Sequence, residues 1–100
     1  MVRHIVIWKF DEAYSAKEKQ QFATIFKQRI EALIDVIDGI ETLKVEINPL
    51  LEGSNTDLML VGDYTDATAL AAYATNPAHV EVANYLKPKV ISRTCFDYEL

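Results

Sequence analysis

The sequence has few of the residues that mark several common kinds of protein. Cys95 is the only cysteine, which excludes an intramolecular disulfide framework. The three glycines are scattered, so no glycine-rich phosphate loop supports nucleotide binding. No apolar run reaches the length of about 18 residues that suggests a membrane span, so we expect no membrane partner.

Basic residues are also in deficit. The formal net charge is -5 and the pI is about 4.9. An acidic chain repels phosphate, so general nucleic-acid binding is not expected. The N-terminus, MVRHIVIWKF, reads directly into a strand and lacks the apolar core and cleavage site of a signal peptide. We therefore expect a location in the reducing cytoplasm.

The composition is that of an ordinary globular protein. Half of the 100 residues are hydrophobic and a quarter are charged. This length leaves room for one domain, so we predict a single domain over residues 1–100. A core of this size is small, and association of two copies would add buried surface to it.

Alternating and helical patterns predict six elements in the order β-α-β-β-α-β. Strands are predicted over residues 2–10, 40–48, 58–64 and 90–98. A capping box of Ser15 and Glu18 begins a helix that ends at Asp38-Gly39, roughly 35 Å later. The second helix starts after Asp66 and is interrupted at Asn76-Pro77, where an N-cap and a first-turn proline restart it. The order predicts an α+β, ferredoxin-like antiparallel sheet with both helices on one face.

Two helices cover only one face of such a sheet, yet the first and last strands have apolar residues on both faces. The second face therefore needs a partner, and we predict an isologous homodimer with two sheets packed together. Val6, Trp8 and Val90, or their neighbours on the opposite face, should lie between the sheets. Cys95 lies in a central, apolar-flanked run of the last strand, so its thiol is predicted to be buried and unreactive in the folded dimer.

The two histidines are the residues most suited to proton chemistry. His79 is predicted at the third position of the restarted helix, where the helix dipole and burial lower its pKa. A neutral imidazole can act as a general base, and Tyr73 could orient it or bind a substrate carbonyl. In the alternative interpretation His79 and Tyr73 are structural, and His4 is a strand residue with a hydrogen-bonded ring. His4 and His79 have no cysteine pair or third histidine beside them in sequence, so no metal site is predicted.

Three segments resemble the stress-responsive dimeric α/β-barrel (Dabb) family. They are VRHIVIWKF at the start, Asn-Pro-Ala-His-Val-Glu-Val-Ala around His79, and the closing Phe-Asp-Tyr. The resemblance extends over nearly the whole chain. It implies a ferredoxin-like fold that dimerises through its sheets into a barrel, in agreement with the strands that are apolar on both faces.

The resemblance also implies a pocket. Most members of the family have no assigned reaction, but plant polyketide cyclases typified by olivetolic acid cyclase form one branch, which closes poly-β-ketones without a cofactor. By resemblance, His79 is the catalytic base, Tyr73 assists it and His4 is a further pocket histidine. Asn76 stands where the family often has another histidine. Some relatives bind a cation through carbonyls at the end of the long helix, here around Ile34, Ile37 and Ile40.

Three functions remain open from the sequence. The first is a cofactor-free lyase or cyclase acting on a small, apolar carbonyl compound. The second is a dimeric protein that binds a small ligand, or protects against stress, without catalysis. The third is a monooxygenase, as in cofactor-free or haem-linked relatives that share the dimeric barrel architecture. Analogy of fold alone supports this function.

Overall fold

The computed structural model describes residues 1–51 and 56–100 and has the predicted α+β, ferredoxin-like architecture. The elements are β1 (Val2–Phe10), α1 (Ala16–Glu31), β2 (Ile40–Glu46), β3 (Leu58–Tyr64), α2 (Ala67–Thr75), α3 (Pro77–Leu86) and β4 (Val90–Glu99). The predicted loop Glu52-Gly53-Ser54-Asn55 lies outside the described residues. Within the described ranges, no helix combines the length and the apolar character needed to cross a membrane.

The four strands form one antiparallel sheet in the order β2-β3-β1-β4. The last strand is therefore at the edge of the sheet, and the burial of Cys95 in the folded dimer stays a prediction. The helices do not extend over this edge, so Cys95 is exposed in the single chain. Sequence could not show this, because a mixed strand such as VISRTCFDY is compatible with either position.

The first helix begins where it was predicted to begin. The amide of Glu18 donates to Ser15 Oγ at 3.1 Å, and the Ser15 amide donates to Glu18 Oε1 at 2.9 Å. Regular α-helix ends at Glu31, however, seven residues before the predicted Asp38, and continues as a tighter 3-10 turn over Ala32–Asp35. Gly39 follows with φ of +90°, a conformation that favours glycine.

A break at Asn76 divides the second helical segment into α2 and α3. Asn76 has extended backbone angles, and its side-chain oxygen accepts a hydrogen bond from the Ala78 amide at 2.9 Å. Pro77 occupies the first helical position, as predicted. The break changes the direction of the chain between Tyr73 and His79, so that the two rings come into contact.

The helices cover one face of the sheet, and the main core lies between them. Trp8 packs edge-on against Phe26 of α1, with 5.2 Å between the ring centroids. Val6 and Trp8 are therefore buried beneath helices, which leaves the other alternative of the prediction, their neighbours on the opposite face, for a contact between two sheets. The opposite face holds their neighbours in alternation, and we call it the open face. Its apolar residues are Ile5, Ile7, Met59, Val61, Phe96 and Tyr98.

Candidate functional site

A cavity of about 470 Å³ lies between the helices and the covered face of the sheet. Most of its wall is apolar, and a few polar side chains reach it from separate elements. An apolar pocket with a small number of convergent polar groups is the usual form of a small-molecule site. The polar and charged residues that line it are His4, Tyr73, His79, Lys87, Ser92 and Arg93.

His79 contributes an uncharged ring to this cavity. It is the third residue of α3, and its Nδ1 lies 3.0 Å from the carbonyl oxygen of Ala74. A carbonyl can only accept, so Nδ1 carries the proton and Nε2 keeps its lone pair. Burial lowers the pKa of His79, nearby His4 and Arg93 lower it further, and the bond to Ala74 opposes the change. The ring is therefore neutral at pH 7 and can accept a proton at Nε2.

Tyr73 contributes a buried hydroxyl that lies near the hydroxyl of Tyr64. The side chain is buried in α2, and its oxygen has no well-aligned hydrogen bond to any residue in the described ranges. Burial raises the pKa of Tyr73 to about 12, so the group keeps its proton. Its ring contacts the His79 ring, with 4.3 Å between the centroids and 46° between the planes. The contact joins the two rings and does not join the hydroxyl to a ring nitrogen, and an interaction with the Tyr64 hydroxyl partly offsets the effect of burial on the pKa of Tyr73.

Tyr64 packs against Tyr73 and also has a buried hydroxyl. Their ring centroids are 4.9 Å apart, and the Tyr64 hydroxyl is also buried without a well-aligned partner in the described part of the chain. Burial and the neighbouring Tyr73 raise the pKa of Tyr64. Unlike Tyr73, Tyr64 is not among the residues that line the cavity. Tyr73 is therefore a residue of the site, whereas Tyr64 is a similar buried tyrosine outside it.

His4 is held by a carboxylate that sequence analysis did not identify. Its Nδ1 lies 2.5 Å from Asp97 Oδ1, and the two residues are directly opposite in the pairing of β1 with β4. Burial opposes ionisation of Asp97, but bonds from His4 and Cys95 outweigh it and lower the pKa of Asp97. The two residues are 93 positions apart in the chain. Only the register of the fold could have revealed the pair.

The structure thus brings His4, Tyr73 and His79 to one cavity. Arg93 also lines it and was not identified from the sequence, since a single arginine in a strand gives no pattern. Cys95, which the sequence placed away from any base, lies with its sulphur 3.5 Å from His4 Nδ1. The cation site implied around Ile34, Ile37 and Ile40 stays a prediction.

The geometry joins a neutral base to a neutral hydrogen-bond donor. His79 can remove a proton, and Tyr73 can donate to an oxygen that becomes negative at the same time. Both groups border an apolar volume in which such a bond is stronger than in water. These are the requirements for removing a proton next to a carbonyl group.

Comparison with known proteins identifies one family and a common fold. Residues 2–100 match the stress responsive A/B barrel domain (Dabb). A dimeric protein of unknown function from Bacteroides fragilis, with a ferredoxin-like fold, is 32% identical with a TM-score of 0.93, over 99% of this chain and 95% of that one. No curated protein matches the sequence.

Two more distant structures share the fold alone. The hydroxynitrile lyase from Passiflora edulis is 15% identical with a TM-score of 0.75, over 99% of this chain and 92% of its own. An antibiotic biosynthesis monooxygenase-like protein from Nitrosomonas europaea is 12% identical with a TM-score of 0.78, over 100% and 98% of the two chains. At these identities the similarity concerns architecture and not chemistry.

Proposed function

The chain belongs to the stress responsive A/B barrel (Dabb) domain family, and we propose that it is a homodimeric enzyme of lyase or cyclase type. It acts on a small carbonyl compound by proton transfer, with His79 as the base and Tyr73 as the hydrogen-bond donor. The proposed steps need no cofactor.

One observation carries this proposal: Tyr73 lies against the neutral ring of His79 at the cavity, and its buried hydroxyl has no well-aligned hydrogen bond to the described residues. Burying a hydroxyl without a hydrogen bond is unfavourable by about 1–3 kcal/mol. If Tyr73 had only a structural role, replacing it by phenylalanine would remove this cost and stabilise the fold. A carbonyl oxygen bound in the cavity would satisfy the hydroxyl, and the same orientation would bring the α-carbon towards His79.

The reaction follows from the protonation states of the two groups. His79 Nε2 removes a proton from the carbon next to the carbonyl, and the electron pair moves onto the carbonyl oxygen. Tyr73 donates a hydrogen bond to the enolate oxygen that forms. The enolate carbon then attacks a second carbonyl of the same molecule, forming a carbon–carbon bond. The His79 imidazolium returns its proton to the new alkoxide, which restores the neutral base.

The lining of the cavity favours a ligand with an apolar body and a negative group. Val6, Trp8 and Leu60 form part of the apolar wall. Arg93 and Lys87 add positive charge to the lining. Neither cation has a carboxylate within 4.0 Å in the described part of the chain. An aryl or alkyl carbonyl compound that bears a carboxylate fits these features.

His4 has a supporting role in the proposal. The bond to Asp97 fixes the orientation of its ring at the cavity wall. The proximity of His4 lowers the pKa of His79 and so favours the neutral form of that ring. His4 is therefore expected to tune the base and to contact substrate.

The homodimer is proposed from the open face. Phe96 is 68% exposed there, and Ile5 and Ile7 of the adjoining strand extend the same apolar surface. The similar protein from Bacteroides fragilis is described as dimeric. Packing two open faces together would bury these residues while leaving the cavity on the other side of each sheet.

A second function is favoured by the apolar wall of the cavity. The same volume could hold an apolar ligand without changing it, as in a binding or stress-protection protein. The two functions differ at His79, because binding alone does not need a base. The lyase from Passiflora edulis shows that this fold can support lyase chemistry, which is consistent with the first function by analogy only.

Binding of small carbonyl compounds tests the site that both the enzymatic and the ligand-binding function require. We expect aryl β-keto acids to shift the NMR signals of His79 and Tyr73 together, and to bind less tightly when Arg93 is replaced by Gln. Glu81→Gln, an exposed change on α3, serves as the control for charge and fold. If these compounds leave both signals unmoved in a folded protein, the proposed site is wrong.

A further inference from the structure

Three side chains with different metal-binding atoms meet beside the cavity. Cys95 and Asp97 lie two residues apart on β4, on the side of the sheet that also bears His4. Cys95 Sγ is 3.3 Å from Asp97 Oδ1 and 3.5 Å from His4 Nδ1, and these two atoms are 2.5 Å from each other. Adjacent antiparallel strands hold all three backbone positions in fixed register.

These separations are close to those around a tetrahedral zinc ion. Zinc binds sulphur at about 2.3 Å and imidazole nitrogen at about 2.0–2.1 Å, so at the tetrahedral angle the two ligand atoms are about 3.5 Å apart. The Cys95–His4 distance already has this value, and the Cys95–Asp97 distance is only slightly smaller. The His4–Asp97 distance would widen by about 0.8 Å. Asp97 can make this movement, because 45% of its side chain is exposed.

A hydrogen bond between His4 and Asp97 alone does not explain why the Cys95 sulphur lies beside both residues. A carboxylate alone is enough to orient a histidine, yet Cys95 places a third donor against both partners. The thiolate and the carboxylate together bring two negative charges to a bound ion, which exceed the single positive charge of nearby Arg93. Thiolate, imidazole and carboxylate are all established ligands of zinc.

We propose that His4, Cys95 and Asp97 form a binding site for a single divalent, borderline-soft ion of the Zn²⁺ class. Three protein ligands leave the fourth position to water or a small anion, as in zinc sites that exchange ligands. The ion would hold His4 through Nδ1 and leave His79 and Tyr73 free. The site lies on the opposite side of the sheet from the proposed dimer contact, so dimerisation leaves it accessible.

Cobalt provides a direct test, because Cys95 is the only cysteine in the chain. Adding Co²⁺ to metal-free protein should give one equivalent of binding with a sulphur-to-cobalt absorption band and the strong visible bands of tetrahedral cobalt. Zn²⁺ should displace the cobalt and abolish both. Zn²⁺ should also slow the labelling of Cys95 by a thiol reagent.

Substitutions distinguish zinc binding at this site from zinc binding elsewhere on the protein. Cys95→Ser and Asp97→Asn should each weaken Zn²⁺ binding by at least about tenfold, and Cys95→Ser should remove the sulphur band. Glu99→Gln removes a negative charge from the same strand outside the cluster and should bind as the unaltered protein does. Circular dichroism confirms that each variant is folded. Cobalt binding without the sulphur band, unchanged binding by Cys95→Ser, or no binding at micromolar zinc would each overturn the proposal. None of these readouts depends on the proposed enzyme activity.

Discussion

The imidazole of His79 lies against the ring of Tyr73, with 4.3 Å between the ring centroids, although a helix break separates the two residues. The break is what allows the contact. Asn76 ends one helix and caps the next, so the chain turns between the two side chains. The contact between the two rings thus depends on a capping residue that does not line the cavity.

Replacing Asn76 by Ala tests this dependence. The change removes the bond to the Ala78 amide, and we expect the free energy of unfolding in urea to fall by about 1 kcal/mol. The NMR signals of His79 and Tyr73 should shift with it. Thr75→Ala, at an exposed neighbouring position, is the control. Unshifted His79 and Tyr73 signals in Asn76→Ala would show that the cap does not position the pair.

The pH dependence of stability follows from the lowered pKa of His79. The unfolded chain takes up a proton near the ordinary value of 6.5, whereas the folded chain resists it until lower pH. Stability contributed by the neutral ring is therefore fully present above pH 6.5 and is lost as pH falls through the folded pKa. Urea unfolding from pH 7.5 to 5 should show a smaller loss in His79→Gln than in the unaltered protein. NMR titration should place the pKa of His79 below 6.5, and a higher value would remove the argument for a general base.

The two buried tyrosines give a matched pair of substitutions. Tyr64→Phe and Tyr73→Phe each remove a buried hydroxyl for which the described residues offer no well-aligned partner, so each should raise the free energy of unfolding by about 1 kcal/mol. Only Tyr73 lines the cavity, so only Tyr73→Phe should weaken binding of carbonyl compounds. Equal effects of the two substitutions on binding would indicate that the Tyr73 hydroxyl has no special role.

The homodimer can be tested on its apolar face. Phe96→Asp places a charge in the proposed contact, and sedimentation should show a shift from dimer to a monomer of about 11 kDa. Val36→Asp is the control, because Val36 is similarly exposed, at 64%, but precedes β2 outside the open face. A monomer in the unaltered protein at micromolar concentration would contradict the proposed assembly.

Local patterns in the sequence were enough to predict most of the fold. Alternation located β1 and β2, and the Ser15–Glu18 box and Asn76-Pro77 located helix starts, because each depends on neighbours within a few residues. Contacts between distant residues were less predictable. Asp97 contacts His4 only through strand pairing, and no spacing pattern in the sequence predicts this contact.

Position in the sheet was hard to predict for the same physical reason. The apolar-flanked run around Cys95 does not reveal that its strand lies at the edge, because strand order is set by topology. The choice between Val6 and Trp8 and their neighbours on the opposite face stayed open, because alternation separates two faces without identifying which one the helices cover. The unpartnered hydroxyl of Tyr73 depends on the full set of its neighbours, which a sequence does not give.

Exchange of α-protons for deuterium tests the central claim most directly, because it detects the first chemical step without knowledge of the natural substrate. A panel of aryl and alkyl ketones, with and without a carboxylate, is incubated with the protein in D₂O and followed by proton NMR. We predict faster exchange than in buffer for at least one compound, reduced by about 10²-fold or more in His79→Gln and retained in Glu81→Gln. No acceleration by the folded protein with any compound, or undiminished exchange in His79→Gln, would contradict the account.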